Sequence, residues 1–236
     1  MTKALLSNRG IEFDALDVAN DPSAMSALRA LGIASVPAVV VGERWMTGWN
    51  PSRLAELVGF AYSERAAPPE ELIGSIGQIV ESALRAVGQV PDSAWESTWP
   101  GRDRPLRELA RHLFDVVERG VDADVLSAFP ANLWLRNHDV PGLAKVGLMQ
   151  RYGQAVQAKF AAWYVAPLDA AAFARTIDAD VGPRTLTQVL ERTRLHAGQH
   201  LRQIYALLEK AGVQPEAPLT DADLRGLGLD LPADVF

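Results

Sequence analysis

The pattern of apolar and polar positions changes after about residue 60. Before that point, short helical and strand patterns alternate. Residues 2–8 and 22–31 predict helices, the second starting at Asp21-Pro22, and Asn50-Pro51 starts a third that ends near Gly59. Residues 11–18 alternate with period two, which predicts a strand. Residues 36–41 are continuously apolar and predict a strand that turns at 42–43 into 44–47.

From residue 70 onward the pattern is helical. Apolar residues recur at three- and four-residue steps in four long segments, 70–87, 105–119, 141–165 and 185–211. We expect Gly120 to end the second segment. A stretch at 173–180 alternates briefly and predicts a small ribbon, and Thr220-Asp221 predicts a short helix near the C-terminus. Four such segments predict a four-helix bundle.

Together these patterns predict an α+β chain in three parts. Residues 1–62 would form a small, incomplete α/β domain, residues 70–212 an all-α four-helix bundle, and residues 213–236 a C-terminal tail. A proline-containing stretch at 66–69 is the expected linker.

Composition narrows the classes of function. The net charge of −6 argues against nucleic acid as a partner, and no apolar stretch is long enough to predict a membrane span. The sequence contains no cysteine, which excludes disulfides, thiolate metal ligands and cysteine nucleophiles from the chain as it stands. Because residues 1–10 have no signal-peptide apolar core either, we expect a cytoplasmic protein.

Three of the four histidines have spacings that suit one metal site. His196 and His200 are four residues apart in a predicted helix, so both side chains project from one face. His112 lies in an earlier helical segment and would complete a set of three ligands, which leaves coordination positions open. The alternative is that these are ordinary surface histidines. The fourth, His138, is interpreted as a loop residue.

Imidazole ligands favour zinc, nickel, copper or ferrous iron over magnesium or calcium. The open positions could take a thiol or water, and a metal acidifies either one. Hydrolysis therefore stays possible, although no general base is visible in the motif.

Several polar residues lie near the histidines on the predicted helices. Gln203 is seven residues after His196, on the same face, while Asp115 and Glu108 flank His112, so Asp115 and Gln203 are the expected supports of the ligand rings. Each carboxylate could equally be a solvated surface group. Two arginines, Arg192 and Arg202, would either bind substrate carboxylates or cover the surface.

The first segment resembles a glutaredoxin-type thioredoxin fold over about 60 residues. The sequence KALLSNRGIEFDALDV resembles the family's first helix and second strand, and ASVPAVVVGE its signature with a cis peptide, here Val36-Pro37. The resemblance implies that the backbone at Val36 and Pro37 contacts a thiol such as glutathione.

This segment departs from that family at its start. The family begins with a central strand and a Cys-x-x-Cys or Cys-x-x-Ser motif, and Met1 falls just past where the motif would end. We expect the native protein to start upstream, the alternative being a remnant domain repaired in some other way. As it stands, the cysteine-free chain cannot carry out thiol–disulfide exchange.

The second segment resembles the DinB-like (YfiT-type) metal-binding bundle over about 140 residues. The matching pieces are VPDSAWESTWPGRDRPLRELARHLFDVVERG and TLTQVLERTRLHAGQHLRQI. The resemblance implies that His112, His196 and His200 bind one divalent transition metal, nickel, zinc or iron. Members of the superfamily include transferases and isomerases that use low-molecular-weight thiols.

We therefore expect a metal-dependent thiol transferase or isomerase, with a small thiol as cofactor and a thiol or electrophile as substrate. The alternative is a non-enzymatic, metal-binding or redox-responsive module. Because DinB-like bundles often pair through their helices, a homodimer is expected under either hypothesis.

Overall fold

The computed structural model describes residues 2–18, 21–33, 36–48, 50–62, 67–100, 104–129, 145–164, 170–179, 182–227 and 229. The chain divides into two compact units, Met1–Arg65 (unit 1) and Ala66–Phe236 (unit 2). Over the described residues the structure is mixed α and β, mostly helical with small sheets, which confirms the α+β class at this level.

Unit 1 contains short elements around a small apolar core. In chain order these are α1 (Thr2–Asn8), α2 (Pro22–Ala30), β1 (Ala38–Val41), β2 (Arg44–Thr47) and α3 (Pro51–Val58). Strands β1 and β2 form an antiparallel hairpin in which Val41 lies opposite Arg44. The buried core side chains are Leu6, Met46, Leu54 and Leu57.

Local capping explains where two of these helices start. The Asp21 side chain accepts hydrogen bonds from two backbone N–H groups at the start of α2, and the Asn50 side chain accepts one at the start of α3. Proline follows each cap at the first helical position, where its missing N–H would have no helical partner anyway. Gly59 ends α3 with a φ of 92°. The predicted starts of α2 and α3 are confirmed.

The strand predicted over residues 11–18 is wrong. These residues form no strand, and the side chains from 12 to 17 are exposed, with Leu16 at 66 % of its surface. A strand needs hydrogen bonds from a neighbouring strand, and among the described residues of unit 1 the only sheet is the β1–β2 hairpin. Alternation without a pairing partner does not produce a strand.

Unit 2 contains the long helices. Its elements are α4 (Pro69–Gly88), a 3₁₀ turn (Asp92–Ala94), α5 (Leu106–Leu126), β3 (Ala128–Phe129), α6 (Val146–Trp163), α7 (Ala170–Ala174), β4 (Thr176–Ala179), β5 (Arg184–Thr185), α8 (Leu186–Lys210) and α9 (Asp221–Gly226). Helices α6 and α8 lie within the segments predicted from periodicity, α4 extends one residue beyond its predicted segment at each end, and α5 continues beyond its predicted end. Residues 141–144 of the third predicted segment lie outside the described residues.

The four long helices surround one apolar core. Helix α4 packs against α8, α8 against α5, α5 against α6, and α6 against α4. Fully buried side chains from all four meet in this core, among them Ile76, Ile79, Leu113, Phe114, Met149, Leu190 and Ile204. Burying a side chain of this size stabilises the fold by about 1.5–3 kcal/mol. None of the described helices is both long and apolar enough to cross a membrane.

A small sheet precedes α8. Strand β4 pairs in parallel with β3 and antiparallel with β5, so the ribbon predicted at 173–180 is confirmed over Thr176–Ala179. Thr185 then caps α8, accepting from the Gln188 backbone N–H while the Gln188 side chain accepts from the Thr185 backbone N–H. This capping box sets the register of the helix that carries two of the histidines.

The prediction that Gly120 ends the second helix is wrong. Helix α5 continues to Leu126, and Ser127 follows in a left-handed conformation with a φ of 52°. Gly120 is buried, and a Cβ atom there would lie 2.9 Å from the Oγ1 atom of Thr193 on α8. The glycine therefore permits a close approach of α5 and α8.

The segment after α8 packs on the same core. The predicted short helix is present as α9, which Thr220 caps. Leu224 and Leu229 are buried in the core of unit 2, and Arg194 of α8 donates a hydrogen bond to the Leu227 carbonyl. The described part of residues 213–236 therefore belongs structurally to unit 2.

We predict that Gly153→Ala destabilises unit 2. A Cβ atom at Gly153 would lie 2.6 Å from Phe114 Cζ and 2.8 Å from Leu84 Cδ2, inside a close-packed core. Such overpacking costs about 1–3 kcal/mol and should outweigh the helix-propensity gain of about 1 kcal/mol. Gly74→Ala on α4 is the matched control, since its Cβ meets no atom within 4 Å. Urea unfolding should show a lower free energy of unfolding for Gly153→Ala alone; equal values for the two variants would contradict the assigned packing.

Candidate metal centre

Two helices bring the three histidines together. His112 lies on α5, and His196 and His200 lie one turn apart on α8. Helices α5 and α8 pack directly against each other, so the histidine of one helix faces the pair on the other. Residues far apart in sequence thus meet between α5 and α8, where His200 is buried and the other two histidines are half-buried.

The three imidazole rings are in mutual contact. The ring centroid of His112 lies 5.1 Å from that of His196 and 4.9 Å from that of His200, and the last two rings are 4.6 Å apart. One nitrogen from each ring can be chosen so that all three lie within 4.8 Å of one another.

Gln203 orients the ring of His200. The Oε1 atom of Gln203 lies 2.7 Å from Nδ1 of His200. A carbonyl oxygen only accepts, so the proton is on Nδ1 and the lone pair is on Nε2. That Nε2 atom is buried and has no hydrogen-bond partner in the described part of the chain. A buried nitrogen with a free lone pair beside two other imidazoles is what a metal ligand requires.

Burial keeps the histidines neutral. Loss of water contact is the main reason why the pKa of His112 falls to about 2 and that of His200 to about 4, and it also lowers the pKa of His196 well below its ordinary value. Neighbouring histidines lower the pKa of His112 and His196 further. At neutral pH all three rings are therefore in the unprotonated form that binds metals.

The donor set fits a divalent transition metal. Zn–N bonds of about 2.0–2.1 Å at a tetrahedral centre put ligand nitrogens about 3.3 Å apart. The three chosen nitrogens lie up to 4.8 Å apart, which is wider than in such a centre. Modest rotations of the imidazole rings would bring the nitrogens to ligand distance. Three neutral nitrogens suit zinc, nickel or iron, and they leave coordination positions for a small molecule.

The other residues predicted near the site have different partners. The Asp115 carboxylate binds Arg119 at 2.9 Å, and the two side chains are only 16 % and 5 % exposed. Arg202 pairs with Asp221, and the guanidinium of Arg192 lies 5.7 Å from the centre of the Phe129 ring. His138 lies outside the described residues.

Sequence reasoning missed the buried Arg119. It lies seven residues after His112, two turns along the same face of α5, and four residues after Asp115. That spacing could have identified it, because an acid and a base four residues apart on a ligand-bearing face indicate an ion pair beside the site.

The residues proposed to contact a thiol, Val36 and Pro37, lie in unit 1. The peptide between them is cis, as the family resemblance implies. The Val36 side chain is 58 % exposed, and the Pro37 carbonyl accepts a hydrogen bond from the Gly48 N–H at 2.9 Å. Val36 therefore lies at the surface of unit 1.

Comparison with known proteins identifies unit 1. The family model described as Glutaredoxin matches residues 1–46. The "Glutaredoxin-like protein NrdH" of Escherichia coli K12 is 36 % identical over 56 residues, which cover 24 % of this chain and 69 % of that protein. The proteins of the same name from Escherichia coli O157:H7 and Shigella flexneri match equally. The chain belongs to the glutaredoxin family through its N-terminal unit.

The glutaredoxin match ends before unit 2 begins. No solved structure matches the chain significantly. The glutaredoxin unit as it stands has no cysteine, so any thiol chemistry of this chain must use another reactive group.

We predict that the purified, untagged protein binds about one divalent transition metal per chain. His196→Ala removes one of three ligands and should lower the metal content several-fold, since two imidazoles hold an ion weakly. His138→Ala makes the same substitution at the fourth histidine and should leave the content unchanged. Elemental analysis of the three proteins decides the matter, and equal metal in wild type and His196→Ala would rule out the site.

Proposed function

We propose that this protein binds one divalent transition metal at His112, His196 and His200 and works as a metal-dependent thiol transferase or isomerase. The thiol would be a small cofactor and the partner substrate a thiol or an electrophile. One observation carries the proposal, namely the contact of three neutral imidazoles between α5 and α8, one of them buried and two half-buried. Three protein ligands leave open positions, as catalytic metal sites require.

A bound zinc, nickel or iron ion would supply Lewis acidity, which lowers the pKa of a thiol that reaches it. Residues of the chain orient the ligands and set the surroundings of the rings. Gln203 keeps the proton of His200 on Nδ1, so the Nε2 lone pair is available as a ligand. His200 is buried and the other two histidines are half-buried, so the rings are partly withdrawn from water, which strengthens electrostatic interactions inside the site.

We further propose that unit 2 is a DinB-like bundle. Two observations support this assignment. Four long helices surround one core, and the histidines lie on the second and the last of them, in the order that the resemblance implies. Homodimer formation and a cytoplasmic location are part of the proposal on the sequence alone.

The glutaredoxin unit would contribute thiol binding. The exposed Val36-Pro37 segment with its cis peptide is the part of unit 1 that the family resemblance associates with thiols such as glutathione. Under this proposal unit 1 binds a small thiol at its own surface, and the reactive centre of the chain is the histidine site of unit 2, since unit 1 as it stands contains no cysteine.

We predict that a thiol enters the first coordination shell of the cobalt-substituted protein. Adding glutathione should produce a sulfur-to-cobalt charge-transfer band in the near ultraviolet, because sulfur replaces water at an open position. His112→Ala should abolish the band together with any thiol transferase activity, since the ion would be bound weakly and its open positions misplaced.

S-methylglutathione is the matched control ligand, because it has the same peptide but no free thiol, and it should give no band. If neither glutathione nor another small thiol produces the band in the cobalt-substituted protein, the proposed function is contradicted and a non-enzymatic metal-binding module is favoured.

A further inference from the structure

Unit 2 contains a cavity of about 450 Å³ between the segment that follows α4 and the start of α6. The apolar side chains in its lining are Trp95, Val146 and Leu148. A volume of this size lies within the range of about 300–1,000 Å³ that small-molecule sites have. An apolar lining with a few polar groups is also typical of such sites. The cavity is therefore large enough for a small organic ligand.

The start of helix α6 gives the cavity a positive potential. The first turn of this 18-residue helix contains no acidic residue, and the side chain of Lys145 before it makes no capping hydrogen bond. The helix dipole contributes about half a positive charge at this end. Two full charges are added by Lys145 and Arg151, which both line the cavity. Neither side chain forms an ion pair or hydrogen bond within the described part of the chain.

The lining also contains one carboxylate, that of Asp92. It offsets one of the two cationic side chains, so the lining keeps a net positive charge. A positively charged concave surface concentrates anions. Because little more than one charge remains, the cavity suits a ligand with a single negative charge better than a dianion such as phosphate.

Trp95 supplies an independent observation. The residue is only 4 % exposed, and its indole Nε1 atom is buried without a hydrogen-bond partner among the described residues. An indole N–H can only donate, and buried donors in proteins are nearly always paired. Since Trp95 lines the cavity, an acceptor bound there would give this donor a partner. The unpaired N–H and the positive charges therefore call for the same kind of ligand group, a negatively charged oxygen.

We propose that this cavity binds a small organic carboxylate. The start of α6, with Lys145 and Arg151, holds the carboxylate, and the indole N–H of Trp95 donates to one of its oxygens. The apolar body of the ligand packs against the apolar part of the lining. Binding makes and breaks no covalent bond. Since none of the three histidines lines the cavity, the inference goes beyond the proposed function and does not rest on it.

The test compares three probes by isothermal titration calorimetry of the whole chain. Phenylacetate has a carboxylate on an apolar ring, phenylacetamide has nearly the same shape without the charge, and inorganic phosphate has charge without an apolar body. Phenylacetate should bind about tenfold more tightly than phenylacetamide, the gain expected of a hydrogen bond to a charged group. It should also bind more tightly than phosphate, which cannot bury apolar surface.

Lys145→Gln removes one cation from the lining and should weaken phenylacetate binding about fivefold. Lys159→Gln is the matched control variant, because it makes the same substitution on the same helix. Lys159 pairs with Glu118 and Asp122 instead, and it lies about 21 Å further along the helix axis, beyond the range of screened charge interactions. This variant should bind phenylacetate as wild type does.

Trp95→Phe keeps an aromatic ring but removes the N–H, and it should weaken phenylacetate binding about tenfold. Unchanged binding in either Lys145→Gln or Trp95→Phe would put the ligand elsewhere on the protein, for example at the histidines, and overturns the inference. Equal affinity of wild type for phenylacetate and either of the other two probes overturns it as well. The proposed function stands in each of these cases, because its test uses the metal and a thiol.

Discussion

The close approach of helices α5 and α8 is the constraint on which the candidate site depends. Gly120 permits it, since any larger side chain there would meet Thr193 of α8. The same interface puts His112 against His196 and His200, with ring centroids no more than 5.1 Å apart. A buried imidazole nitrogen without a hydrogen-bond partner costs about 1–3 kcal/mol. The Nε2 atom of His200 has no such partner among the described residues, and a metal ion bound there would satisfy it.

Much of the helical unit could be predicted from local sequence. The period of apolar residues located the long helices, and the spacing of His196 and His200 put both rings on one face of α8. Short-range signals such as Asp21-Pro22 and Thr220-Asp221 also marked helix starts correctly, because caps are set by neighbouring residues.

The rest depended on tertiary contacts that local sequence does not contain. Gly120 was expected to end a helix, yet it is a packing position whose role is visible only once Thr193 faces it. Residues 11–18 alternate like a strand, but a strand requires a neighbour to pair with.

The two units carry different chemical groups. Unit 1 belongs to the glutaredoxin family but contains no cysteine, while unit 2 contains a cluster of three histidines that could hold a metal ion. The central claim is that this set binds one ion through three imidazoles. X-ray absorption spectroscopy of protein loaded with one equivalent of zinc tests it most directly. The account predicts a first shell with three imidazole nitrogens at about 2.0–2.1 Å and at least one further light atom. A shell without imidazole scattering, or with a single imidazole, would contradict it.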